Sequence, residues 1–194
     1  MYNNIGDKMK VNVGVSNRHV HLNNDDYKLL FGDIPLTKRN DLTQPNTFAS
    51  ELTVTLNGAK RSIENVRVLG PNRAYTQVEV SKTDAYTLGI NPPVRNSGDL
   101  NDASEITIVG PKGKITRNAA IIASRHIHVD KKIRLEHNLE GIEKVSVKIA
   151  GEKSGIINNV YLKDSEEAYF ELHLDTDDAN AHMLKQGDEV EIIF

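Results

Sequence analysis

The sequence reads Arg18-His19-Val20-His21 near its start and repeats this pattern as Arg125-His126-Ile127-His128 in its second half. Each copy ends an apolar, β-branched run, which predicts a strand, and each precedes a segment with helix-capping residues. Because these features recur in the same order, the economical interpretation is a chain built from two related halves.

A second pair of segments supports this duplication. Val78-Glu79-Val80-Ser81 in the first half corresponds to Leu172-His173-Leu174-Asp175 in the second, so that Glu79 and His173 take equivalent places. Two elements that both occur twice, in the same order, are harder to attribute to chance than either element alone.

The remainder of the chain consists mainly of short β-branched or alternating runs separated by turn-forming pairs such as Asn57–Gly58. Many short strands with tight turns favour a mainly β fold, either barrels or sandwiches. Short helices are predicted after capping residues at Asn23–Phe31, Thr83–Leu88 and Lys131–Leu139. The predicted strands are Val11–Val15, Leu52–Leu56, Ile63–Leu69, Gln77–Val80, Ile106–Val109, Ile121–Ser124, Val145–Ile149, Ile156–Leu162, Tyr169–Leu174 and Glu189–Phe194.

The composition narrows the possible functions. With 38% hydrophobic and 26% charged residues, the chain has enough apolar material for a packed core. A balance of 24 basic against 27 acidic residues provides no excess positive charge for nucleic acid. No segment approaches the roughly 20 apolar residues that a membrane span needs, so we expect a cytoplasmic protein without a membrane partner. The absence of cysteine excludes disulfides, a cysteine nucleophile and thiolate metal ligands.

The repeated histidine pairs predict two metal sites. In an extended strand the side chains alternate faces, so the two histidines of each pair point to the same side, about 7 Å apart along the backbone. Open catalytic zinc sites usually have three protein ligands from histidine and carboxylate residues. The predicted sets are His19, His21 and Glu79 in the first half, and His126, His128 and His173 in the second.

Three arginines accompany these pairs. Arg18 and Arg125 alternate with the histidines and therefore face the other way, where we expect salt bridges. Arg73 follows a Gly70-Pro71 turn that can aim its guanidinium into the first site, and a fork of donors beside a dication suits phosphate. The alternative for Arg73 is an ordinary surface arginine in a loop.

The segment 91–99 is typical of a rigid turn with capping groups, and no chemistry is predicted for it.

Several motifs are similar to those of the propanediol-utilisation type of phosphate propanoyltransferase, and the similarity runs from about Val11 to the C-terminus. This resemblance implies two related β-barrels capped by short α-helices, with the first strand crossing over to the second barrel. The expected domains are residues 18–125 and residues 126–194, with the strand 11–17 joining the latter. The motifs are Val13-Gly14-Val15-Ser16-Asn17-Arg18-His19-Val20-His21, Arg39-Asn40-Asp41-Leu42-Thr43-Gln44-Pro45, Val66-Arg67-Val68-Leu69-Gly70-Pro71, Pro93-Val94-Arg95-Asn96-Ser97-Gly98-Asp99 and Ala123-Ser124-Arg125-His126-Ile127-His128.

The resemblance also implies an activity: acyl-CoA and phosphate are interconverted with acyl phosphate and free coenzyme A at two metal ions, usually zinc, with another divalent ion as the alternative. The acyl group is propanoyl or acetyl. The family's metal ligands fall on the same six residues, and its phosphate-binding arginine falls on Arg73, which is therefore the expected catalytic residue. Ser16, Arg67, Leu69 and Asn180 match positions near coenzyme A.

Because the chain has no cysteine and no evident activated serine, we expect phosphate to attack the thioester directly, without an acyl-enzyme. We further expect a homodimer. Members of the family that enter bacterial microcompartments begin with an added targeting helix, whereas this sequence begins with the short, polar MYNNIGDKMK. The expectation is therefore a cytoplasmic enzyme, with association with a bacterial microcompartment as the alternative.

Three other functions are compatible with histidine pairs on a β fold. A cupin-like oxygenase places its glutamate a few residues after the pair, whereas here Asn23 to Asp26 follow and the glutamate is the distant Glu79. A structural-metal barrel acting as an interaction module is expected to have closed sites with four ligands. A two-zinc hydrolase uses water, rather than phosphate, to accept the acyl group.

Overall fold

The computed structural model describes residues 9–165 and 169–194, which form two compact units. We call residues 17–124 the central barrel. The terminal barrel combines residues up to Ser16 with the residues from Arg125 to the end of the chain. The terminal barrel is therefore assembled from both ends of the sequence.

The described residues form short strands and four short helices. The strands of the central barrel are β2 (His19–His21), β3 (Lys38–Asp41), β4 (Phe48–Asn57), β5 (Ser62–Gly70), β6 (Gln77–Glu79), β7 (Val94–Arg95), β8 (Ser104–Val109) and β9 (Lys114–Ala123). Those of the terminal barrel are β1 (Lys10–Ser16), β10 (His126–Asp130), β11 (Lys144–Ile149), β12 (Gly155–Ser165), β13 (Glu171–Asp175) and β14 (Glu189–Ile193). The helices are α1 (Asn24–Phe31), α2 (Lys82–Leu88), α3 (Lys131–Glu136) and α4 (Thr176–Ala181).

Both units close into barrels. The terminal barrel has the cyclic order β1-β13-β10-β12-β11-β14. In the central barrel the order β4-β5-β2-β6-β9 is closed by β8, which pairs with both β9 and β4. The strands β3 and β7 extend this sheet beside β4 and β9. The predicted mainly β fold of two barrels with short helices is confirmed.

The two barrels share one topology, which supports their origin as repeats. In each, the histidine strand (β2 or β10) runs parallel to one neighbour (β5 or β12) and antiparallel to the other (β6 or β13). The next position is taken by β9 in the central barrel and by β1 in the terminal barrel, and each runs parallel to its neighbour. The first strand of the chain thus completes the barrel formed by the last part of the chain.

Apolar and polar residues alternate along the strands, so that one face of each strand contributes to a core. In β1, for example, Val11 and Val13 are 2% and 0% exposed, while Lys10 and Asn12 between and beside them face solvent. Each core is a cluster of buried, mostly aliphatic side chains within its own barrel, and that of the central barrel also contains Phe31. The strands are therefore fixed in register, because a shift by one residue would move the apolar set to the outside.

The helices begin directly after the strands that carry the predicted metal ligands. Asn23 and Asp130 cap α1 and α3, which follow the histidine strands, and each accepts a backbone N–H of the first turn. Ser81 and Asp175 do the same for α2 and α4, which follow β6 and β13. The helix α3 ends at Glu136, earlier than the predicted Leu139. None of the helices in the described part of the chain is long and apolar enough to cross a membrane.

Leu172 lies between Glu171 and His173 in the sequence of β13, but its side chain points to the opposite face, into the core, and is 0% exposed. We expect Leu172→Ala to lower the free energy of unfolding by about 2–5 kcal/mol, because it removes buried methyl groups and leaves a cavity. Urea unfolding measures the change. In the control, Leu135→Ala on α3, the leucine is 50% exposed, so a change within about 0.5 kcal/mol is expected. If both substitutions lowered the free energy of unfolding equally, the placement of Leu172 in the core would be contradicted.

Candidate metal centres

In the central barrel, the fold brings His19, His21 and Glu79 together. The antiparallel pairing of β2 with β6 places His19 directly opposite Glu79, and the two histidine rings lie 5.0 Å apart. His19 Nε2 is 3.5 Å from Glu79 Oε2. One potential ligand atom from each of the three residues lies within 4.8 Å of the other two. We call these three residues the central set.

The hydrogen bond of His19 fixes which ring nitrogen can bind an ion. Its Nδ1 lies 2.8 Å from the backbone carbonyl oxygen of Asn17. A carbonyl oxygen only accepts, so Nδ1 carries the proton and Nε2, which faces Glu79, keeps its lone pair. Metal-binding histidines typically have their other nitrogen held in this way, because that contact sets both the tautomer and the orientation of the ring.

In the terminal barrel, the fold brings His126, His128 and His173 together. The antiparallel pairing of β10 with β13 places His126 opposite His173. The His173 ring lies 5.0 Å from that of His126 and 4.8 Å from that of His128. Here too one nitrogen from each residue lies within 4.8 Å of the others. We call these residues the terminal set.

His128 is in the protonation state that a metal ligand needs at neutral pH. Its side chain is buried, and burial lowers its pKa to about 3, with the neighbouring His173, His126 and Lys163 acting in the same direction. The imidazole is therefore uncharged at neutral pH and retains a nitrogen lone pair. A protonated ring at this place would instead repel a cation.

The donors in both sets fit a divalent ion of the zinc type. Zinc is bound in proteins by imidazole nitrogen and carboxylate oxygen, and open sites have three protein ligands. The central set offers two imidazoles and one carboxylate, and the terminal set offers three imidazoles. A zinc ion held by the three donors of either set would keep a coordination position for water or substrate.

Arg73 is tied to the central set through its backbone and its side chain. Its amide donates to the carbonyl oxygen of Leu22, immediately after His21, over 2.8 Å. The preceding Gly70–Pro71 bond is cis, and a Cβ at Gly70 would lie 2.3 Å from the Phe48 ring, so glycine is required there. The guanidinium is half-buried, and its Nη1 donates to Ser97 Oγ over 3.3 Å.

Gln77 and Ser97 connect Arg73 with Glu79, and sequence reasoning missed both. Gln77 Nε2 donates to Glu79 Oε1 over 2.6 Å and to Ser97 Oγ over 2.8 Å. The backbone N–H of Gly98 donates to Gln77 Oε1 over 2.8 Å. Segment 91–99, for which only a structural role was predicted, therefore contributes to the surroundings of the central set. Gln77 could have been found, because it lies two residues before Glu79 and so on the same face of the strand.

Arg18 and Arg125 form the salt bridges expected from their position. Arg18 Nη1 lies 2.8 Å from Asp84 Oδ1 in α2. Arg125 binds Asp178 of α4 with two nitrogens, at 2.6 and 2.7 Å, and this hydrogen bonding raises the pKa of Arg125. In each barrel the arginine thus ties the histidine strand to the helix that follows the third donor.

The residues expected near coenzyme A divide between the two barrels. Arg67 and Leu69 lie on β5, paired with His19 and His21 respectively, and Arg67 Nη1 donates to the carbonyl oxygens of Ser50 and Glu51. Ser16 ends β1 in the terminal barrel, where it pairs with Asp175. Asn180 is exposed on α4 of the same barrel.

The chain is similar in sequence to proteins of one known family. A family model described as phosphate propanoyltransferase matches residues 12–185. The phosphate propanoyltransferase of Thermotoga maritima is 47% identical over 93% of this chain and 88% of its own length. Those of Rhodopseudomonas palustris and Salmonella typhimurium are each 44% identical, over 96% and 87% of this chain and 83% and 81% of their own lengths.

These likenesses identify the chain as a transferase enzyme. It belongs to the phosphate propanoyltransferase family, as the resemblance of its motifs predicted.

Proposed function

We propose that this enzyme transfers a short acyl group, propanoyl or acetyl, between coenzyme A and inorganic phosphate. The observation that carries the proposal is the hydrogen-bonded chain from Arg73 through Ser97 and Gln77 to Glu79. It joins a guanidinium, whose planar fork of donors suits phosphate, to a set of potential metal donors. The named relatives support the same activity.

We propose that each set holds one divalent ion, with zinc as the best fit and another divalent metal as the alternative. The ligands are His19, His21 and Glu79 in the central set, and His126, His128 and His173 in the terminal set. When bound, the ions supply positive charge that favours phosphate binding and a developing oxyanion.

In the proposed reaction, an oxygen of phosphate attacks the carbonyl carbon of the thioester. The new carbon–oxygen bond forms, the carbon–sulfur bond breaks, and the electron pair leaves with the sulfur of coenzyme A. Arg73 holds the phosphate by its planar fork of donors, with its guanidinium positioned by Ser97. Arg67, Leu69, Ser16 and Asn180 are the proposed contacts of coenzyme A. Holding both substrates together removes much of the entropic cost of their encounter.

Two alternative functions, a structural metal site and a two-zinc hydrolase, are less well supported. Closed structural metal sites use four protein ligands, whereas each set offers three. A two-zinc hydrolase needs no anion-binding arginine, whereas Arg73 is linked to Glu79 through two intervening side chains. The proposed homodimer remains a prediction.

The test is an assay of the purified, metal-analysed protein with acetyl-CoA and propanoyl-CoA. We expect free coenzyme A to be released only when phosphate is present, together with acyl phosphate. Mass spectrometry after incubation with acyl-CoA alone should find the protein unmodified, because direct attack forms no acyl-enzyme. Release of coenzyme A without phosphate would favour the hydrolase, and a covalently acylated protein would overturn the direct mechanism.

His126→Ala should remove about one equivalent of bound metal per chain, because it deletes one of only three protein donors in the terminal set. Metal analysis of the dialysed protein measures this. The matched control is His137→Ala, since His137 is exposed at the end of α3 and belongs to neither set. Full metal content in His126→Ala would remove the assignment of the terminal set.

Arg73→Lys keeps the positive charge but replaces a planar fork with a single ammonium group. We expect turnover to fall about 10²–10³-fold, as for the loss of one preorganised donor. The KM for phosphate should rise, while the KM for acyl-CoA and the metal content should change little. The control is Arg61→Lys, an exposed arginine of the same barrel. If turnover and the KM for phosphate were unchanged in Arg73→Lys, Arg73 would be shown to be an ordinary loop arginine.

A further inference from the structure

Glu171 lies directly beside the terminal set, although it was not predicted as a ligand. In β13 it precedes His173 by two residues, so both side chains lie on the same face of the strand, and it pairs with His128 across to β10. The equivalent residue of the central barrel is Gln77, which pairs with His21. The two barrels therefore differ at this position by a carboxylate in place of a neutral amide.

The contacts of Glu171 direct its carboxylate at His173. Its Oε2 lies 3.0 Å from His173 Nε2. The hydroxyl of Tyr169 donates to this same oxygen and lies 2.8 Å from His173 Nε2. Gln186 Nε2 donates to the other carboxylate oxygen over 3.3 Å. Glu171 is 6% exposed, so its carboxylate is shielded from water and lies against the terminal set.

The neighbouring strand leaves room for this carboxylate. Gly14 of β1 pairs with His173, and a Cβ at Gly14 would lie 2.7 Å from Glu171 Oε2 and 3.0 Å from His173 Cδ2. The next residue, Val15, donates its N–H to Gln186 Oε1 over 2.8 Å, which holds the amide that contacts Glu171. A glycine and an anchored glutamine thus accommodate the buried acid.

The two donor sets differ in formal charge, and the carboxylate of Glu171 compensates for this difference. The central set contains Glu79, so one of its three donors is anionic. The terminal set consists of three imidazoles, which are uncharged when they bind a metal. A cation that is partly removed from water is stabilised by an anion close to it. With Glu171 included, each barrel has one carboxylate at its set of donors.

We propose that Glu171 supports the three histidine ligands of the terminal metal centre without being a ligand itself: it supplies the negative charge that the histidines lack and holds His173 in place. The proposal rests on the proposed metal binding of the terminal set. Tyr169 and Gln186 act as positioning residues for the carboxylate. The two centres then have equal formal charge from different positions: Glu79 in one barrel and Glu171, two residues earlier in the equivalent strand, in the other.

The test measures metal affinity in a His19→Ala background, in which the central set has lost a donor and the terminal set is observed alone. Metal-free protein is titrated with Zn²⁺ against a chromophoric chelator, and with Co²⁺ by its visible absorption. Glu171→Gln keeps size and hydrogen-bonding capacity but removes the charge. We expect it to weaken binding of both ions about 10–100-fold, the usual effect of losing a group that supports metal ligands.

Two further variants complete the experiment. Tyr169→Phe removes one hydrogen bond to the carboxylate and should weaken metal binding in the same direction, by a smaller factor. Glu189→Gln changes an exposed carboxylate of the same barrel that lies 3.0 Å from Lys10 Nζ on the surface, and it should leave affinity unchanged. Circular dichroism of each metal-free variant checks the fold. If Glu171→Gln does not fold, Tyr169→Phe decides, and wild-type affinity in that variant overturns the proposal.

The outcomes separate this inference from the function on which it rests. If the His19→Ala protein binds no ion, the terminal set is not a metal centre and both proposals fail. If it binds one ion and Glu171→Gln binds it with unchanged affinity, only the role of Glu171 is overturned. Weaker binding in Glu171→Gln, with normal binding in Glu189→Gln, supports it.

Discussion

The antiparallel pairing of β2 with β6, and of β10 with β13, places a histidine directly opposite the third donor of each set. Residues opposite each other in such a pair have Cβ atoms about 4.5–5.5 Å apart, close enough for two side chains to reach one ion. A slip of one residue would turn the donors to the other face of the sheet. The cores, the capped helices and the arginine–aspartate bridges all help to preserve this register.

The donor sets were predictable from the sequence because they depend on alternation within single strands and on a repeat that gives two examples of the same pattern. The role of Ser97 was not predictable, because a serine in a turn has no local pattern that reveals what it contacts. Gln77, Tyr169 and Glu171 are intermediate cases. Alternation places them on the ligand face, but their partners follow only from the pairing of strands.

The crossing of β1 was expected only from the resemblance. Its alternating valines predict a strand with one buried face, and they contain no information about which core that face enters. The same holds for the pairing of β8 with β4 that closes the central barrel, since it joins segments far apart in the sequence, whereas β8 and β9 form a hairpin across residues 110–113. Local patterns thus identified most strands, whereas their neighbours are determined by the packing of each core as a whole.

The position of β1 in the terminal barrel has a consequence for how the chain reaches its native state. Asn12 pairs with Glu171, so one closing contact of this barrel joins residues from opposite ends of the sequence. Contacts of such long sequence separation carry a large loop-closure entropy and form slowly. The central barrel is contiguous in the chain and can be completed on the ribosome before the last strands are synthesised. The terminal barrel must instead wait for β13 and β14, and its first strand stays without its native neighbours until they emerge.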